Sequence, residues 1–117
     1  MSTVKCFDVL MMVLESMKEE NKSAFEIDTR RLALLENECA ALDRLADKSD
    51  ATGFEVDVDE DSGEVTISLD VAFSLAVVRS DRSLLQLFEE NTKSFSINKT
   101  DVQDIIRLTF VFESLWV

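Results

Sequence analysis

From Phe54 to Val78 the chain alternates. Glu55 and Asp57 separate Phe54, Val56 and Val58. After Glu60-Asp61-Ser62-Gly63, apolar side chains return at every second position: Val65, Ile67, Leu69, Val71, Phe73, Leu75 and Val77. A period of two puts one row of side chains on one face of a strand, so this stretch predicts a β-hairpin whose second strand outruns its first. Placing Val58 opposite Val65 sets Val56 against Ile67 and Phe54 against Leu69, all six on one face. A four-residue loop, Glu60 to Gly63, preserves that pairing, with Gly63 in the left-handed conformation. Glu55, Asp57 and Asp59 then share the other face with Thr66, Ser68 and Asp70, and Asp59 lies opposite Glu64. A straight strand reaching Val78 would be unusually long, which points to a bulge or break near Asp70.

The rest of the chain has to cover the apolar face of this hairpin. Val4 to Met17 contains neither Gly nor Pro, and Phe7, Leu10, Leu14 and Met17 form one helical stripe beside Cys6, Val9 and Val13. Lys18 to Lys22 closes that element. Ser23 with Glu26 forms a capping-box pattern, and Asp28 is an equally good cap for a helix starting at Thr29 and running to about Lys48. Leu32, Leu35, Cys39, Leu42 and Ala46 recur there at spacings of three and four, while Glu38 and Asp43 read as solvated rim positions. The first two helices are expected to pair antiparallel. A later helix starts at Ser80 or Asp81, shows Leu84, Leu87 and Phe88 on one side, and ends near Asn91. Phe95 and Ile97 alternate briefly, as in a short strand. The last segment carries two signals. Thr100 with Gln103, followed by Val102, Ile105 and Ile106, reads as a capped helix, and that reading is preferred. Ile106, Leu108, Phe110 and Phe112 also alternate as a strand would.

These elements define an α+β domain: two N-terminal helices and a later helix packed on a small, mainly antiparallel sheet built around the hairpin. The 117 residues, 46% of them apolar, suit a single globular domain over 1–117. Two cysteines, Cys6 and Cys39, sit in apolar helical patterns. They read as buried free thiols, which suits a reducing, cytoplasmic setting. No apolar run approaches the length of a membrane span, and the stretch Val9 to Leu14 lacks the basic flank of a signal peptide.

Charge narrows the function. The chain holds 24 acidic and 12 basic residues, a formal net charge of −12, and no histidine. Between Ser49 and Val78 there are eight acids and no base, so the negative field centres on the hairpin. Such a field repels phosphate backbones and attracts a basic partner or a cation. Asp57, Asp59 and Asp61 have the spacing of the first three ligands of a calcium loop. Ser62 and Ser68, however, occupy the positions of its obligatory glycine and bidentate glutamate. No cofactor or metal is expected. Without histidine, a phosphate-binding glycine loop or clustered cysteines, an enzyme is not expected either. The expected function is a small acidic protein-interaction module: an adaptor, chaperone or inhibitor of a basic partner. Its partner-facing patch comprises Glu55, Asp57, Asp59, Glu64 and Asp70. The alternatives are a nucleic-acid-mimicking inhibitor of a DNA- or RNA-binding protein, as phage or mobile elements encode, and a structural homo-oligomer subunit. The long second strand and the apolar surplus in Val4–Met17 and Ile105–Val117 favour a homodimer. Simple solubility accounts for the acidic face equally well.

Overall fold

The computed structural model describes residues 5–20, 26–48, 54–72 and 92–117. In chain order these form helix α1 (Cys6–Glu20), helix α2 (Thr29–Lys48), and strands β1 (Phe54–Val58), β2 (Val65–Ala72), β3 (Thr92–Lys99) and β4 (Ile105–Phe112). The strands make one antiparallel sheet in the order β1-β2-β4-β3. The architecture is therefore α+β, with two helices among the described residues. The helix expected from Ser80 or Asp81 to Asn91, the strand continuation to Val78 and Ser23 of the capping box lie outside the described residues.

The hairpin register is the one its alternation predicts. Val58 pairs with Val65, Val56 with Ile67 and Phe54 with Leu69. Gly63 has φ 76° and donates its N–H to the Asp59 carbonyl at 2.8 Å. Val65, Ile67, Leu69 and Val71 are buried on the face toward the helices.

The C-terminal segment corrects the helix reading: Ile105–Phe112 is a strand in the middle of the sheet. It pairs along the whole of β2, on the edge away from β1, from Val65 opposite Phe112 to Ala72 opposite Ile105. The capping signal at Thr100 belongs to a turn. The Thr100 hydroxyl accepts from Val102 N at 3.2 Å and donates to the Ile105 carbonyl at 2.7 Å, and Asp104 takes φ 65° to swing the chain into β4. Threonine satisfies a tight turn with the same oxygen that caps a helix, so the local pattern is shared. Burial decides between them, because Leu108, Phe110 and Phe112 alternate into the core. That pairing in cis also removes the unpartnered strand end and much of the C-terminal apolar surplus from the argument for a dimer.

The helical layer closes the core. Cys6, Leu10 and Leu14 of α1 meet Leu35, Cys39, Ala41, Leu42 and Leu45 of α2 over the inner face of the sheet. Asp28 caps α2, its Oδ1 accepting from Arg30 N at 3.0 Å. The cap of α1 comes from another element: Cys6 N donates to Asp43 Oδ1 on α2 at 2.9 Å. Asp43 is thus no rim residue. This bond sets the start of α1 beside the last third of α2, the antiparallel arrangement. Asp43→Ala should cost about 1 kcal/mol, as loss of an N-cap does, measured as a lower urea midpoint at unchanged slope. A midpoint matching the parent chain would mean that water replaces the carboxylate at no cost.

The tail after β4 ties three parts together. Leu115 is buried, its N–H donates to the Gly63 carbonyl at 2.9 Å, and its own carbonyl accepts from Asp28 N at 2.7 Å. Trp116 bridges to Ile27, and its Nε1 donates to the Glu60 carbonyl at 3.1 Å. The indole is therefore anchored on the hairpin loop.

Candidate functional site

The inner face of the sheet is occupied by the core, so the outer face is where the strands present polar chemistry. Register sets its rows. Glu55, Ser68, Thr109 and Ser96 run across the four strands in one row, and Asp57, Thr66, Val111 and Ser94 in the next. Asp70, Arg107 and Asn98 form a third, across β2, β4 and β3. The Ser68 and Thr109 hydroxyls are hydrogen-bonded at 3.2 Å. The face thus carries carboxylates on β1 and hydroxyls on β2, β4 and β3, with Arg107 on β4 opposite Asp70 on β2.

The five acids expected to act together have different surroundings. Glu55 and Asp57 stand exposed on edge strand β1, two residues apart on one face. Neither has a hydrogen bond or ion pair among the described residues. Asp59 turns into its own loop: its Oδ1 accepts from Asp61 N at 2.8 Å and from Ser62 N at 2.9 Å. Those bonds, the one from Ser62 foremost, hold its carboxyl below the usual range. Glu64 is ion-paired with Lys93, and Asp70 accepts both Nε and Nη2 of Arg107, at 2.9 and 3.3 Å. The Asp70 bond raises the Arg107 pKa, and the nearby charge of Glu55 adds to it. The sequence gives no sign of these two cations, because Lys93 and Arg107 reach the acids only once β3 and β4 are placed in the sheet.

A second feature was not visible as a site. Glu38 is only 5% exposed, at a shallow cleft lined by Arg31, Leu34, Leu35, Thr92, Phe112, Glu113 and Leu115. Burial pushes its carboxyl up to about 7, against the pull of Arg31 two helical turns earlier on α2. The position lies between Leu35 and Leu42 on the apolar stripe of α2, and that spacing was the available signal that it is no rim residue. Perturbed carboxyls in clefts mark candidate sites; this cleft is open, and Glu113 also lines it.

The two cysteines, far apart in sequence, meet across α1 and α2. The Cys6 thiol is pushed well above its ordinary value by its hydrogen bond with Cys39, then by burial and by the neighbouring charges of Cys39 and Asp43. A thiol so placed is a poor nucleophile. Among the described residues, no group of three or more Cys, Asp or Glu side chains converges as a metal site would require. None of their helices is long and apolar enough to cross a membrane. Comparison with protein-family models, curated proteins and solved structures gave no match.

Proposed function

We propose that this chain is a small acidic protein-interaction module, an adaptor, chaperone or inhibitor, whose β1 side meets a basic partner. One observation carries the reading. Glu55 and Asp57 are held side by side on edge strand β1 with no ion pair among the described residues, the nearby Arg107 being bonded to Asp70, whereas Glu64 and Asp70 are paired within the fold. Glu55 and Asp57 make the contact in this reading, Glu64 and Asp70 border it, and Asp59 shapes the loop beside it. The chain acts by binding, with no catalytic centre, and its free cysteines suit the cytoplasm.

Exposed carboxylates of this kind steer association more than they hold a complex together. The test is capture of partners from a lysate of the source cells by the parent chain and by the Glu55→Gln/Asp57→Asn variant, at low and high salt. Binding kinetics with the captured partner follow. The variant should keep its circular dichroism spectrum, associate several-fold more slowly and lose much of its salt dependence. Equal capture and equal association rates for the two chains would leave the acidic face a solubilising surface only.

A further inference from the structure

The opposite edge of the sheet carries a different surface. Thr100 N donates to the Ile105 carbonyl, so the residues of β3 in the same parity as Thr100 (Asn98 and Ser96) turn their main-chain groups toward β4. Phe95, Ile97 and Lys99 therefore turn theirs outward, and no further strand lies beyond β3 among the described residues. The side chains of Phe95 and Ile97 project on the core side, in line with Phe110 and Leu108, yet are 47% and 56% exposed. The Phe95 ring packs on Phe110 with centroids 4.9 Å apart, which holds it in place. An eight-residue edge with open donors and acceptors and exposed apolar side chains is a template for another strand.

We propose that β3 pairs antiparallel with β3 of a second copy of this chain, about a two-fold axis at Ser96, joining two four-stranded sheets into one of eight strands. Three observations select this occupant. The register is self-complementary: with Ser96 on the axis, Phe95 lies opposite Ile97 of the second copy and Ile97 opposite Phe95. Both are aromatic–β-branched pairs at positions whose main-chain groups point outward. Residues 92–100 contain no acid and two lysines, so the contact joins the least acidic strip of a chain with net charge −12 and leaves the acidic β1 sides far apart. The symmetry also closes, since each copy uses its β3 edge once. The competing head-to-tail contact, β3 against β1 of the next copy, would grow without limit. The dimer is independent of the acidic-face reading, because it uses the other edge.

Sedimentation equilibrium of the full chain across the micromolar range should give twice the chain mass. Ile97→Lys should give the single-chain mass with an unchanged circular dichroism spectrum. Ile97→Pro should do the same, because it removes only an outward N–H and leaves the β3–β4 ladder intact. Facing residues at a non-hydrogen-bonded pair have Cα atoms about 4.5 Å apart. Ser96→Cys should therefore form a disulfide-linked dimer with oxidised glutathione, and Glu55→Cys should not. A parent chain that stays single across this range overturns the proposal. So does a dimer indifferent to both Ile97 variants, or open-ended growth with concentration. A dimer that the Ile97 variants dissolve but Ser96→Cys fails to lock overturns the stated register.

Discussion

Gly63→Ala should destabilise the fold by about 3 kcal/mol, the sum of a left-handed backbone forced on an L-residue and overpacking of a filled site. Gly63 has φ 76°, and a Cβ there would run into Cγ of Trp116 and come within 2.6 Å of Ser114 Oγ. The indole has nowhere convenient to go. Its Nε1 is bonded to the Glu60 carbonyl, its backbone bridges to Ile27, and the Gly63 carbonyl itself holds Leu115 N. Moving Trp116 would therefore loosen the hairpin loop and the strap before α2 together. Urea unfolding followed by far-ultraviolet dichroism reads the global loss. Fluorescence of Trp116, the only tryptophan, reads the local change. A cost under about 1 kcal/mol would show that the tail yields at this point.

Glu38→Gln should change the pH dependence of stability. The Glu38 carboxyl titrates at about 7 in the fold, against an ordinary 4.5. Between those values the folded chain binds more protons than the unfolded one, so stability is fully present below 4.5 and is lost as pH rises through 7. Arg31 on α2 lines the cleft and pulls the carboxyl back toward its charged form, the smaller of the two influences. With allowance for screening by water at the open side, the loss is about 2 kcal/mol. The glutamine variant should lack this slope and exceed the parent in stability at pH 8 by a similar amount. Denaturation midpoints measured from pH 5 to pH 8 decide it, and parallel profiles for the two chains would show that Glu38 ionises without penalty.

What could be read from the sequence divides along the range of the interactions. The β1–β2 register follows from a period of two and a loop of fixed parity, both local, and it was readable residue by residue down to the left-handed Gly63. Asp28 as the cap of α2 was likewise local. Asp43 as the cap of α1 was not, because the bond spans 37 positions and depends on how the helices lie together. The segment after Thr100 went astray for a related reason. Its turn and a helix cap use the same hydroxyl, and the free edge of β2 that selects a strand lies more than thirty residues earlier. For the candidate site, alternation put Glu55, Asp57 and Asp70 on one face, where the register has them, while Asp59 turns into its loop. It did not reveal which of them were neutralised, since Lys93 and Arg107 are brought opposite Glu64 and Asp70 by the strand order alone.

The central position of β4 has a consequence for synthesis. Of the four strands, β4 is made last, yet β2 and β3 are joined only through it. Until residues 105–112 have left the ribosome, β2 keeps one edge open and β3 has no sheet partner among the described strands. The α1–α2 layer likewise has only β1 and β2 beneath it. The fold therefore cannot assemble stepwise from its N-terminal end. It is completed in one late step, when β4 inserts between its neighbours and Leu115 reaches Gly63, and the nascent chain carries an open edge of β2 until then.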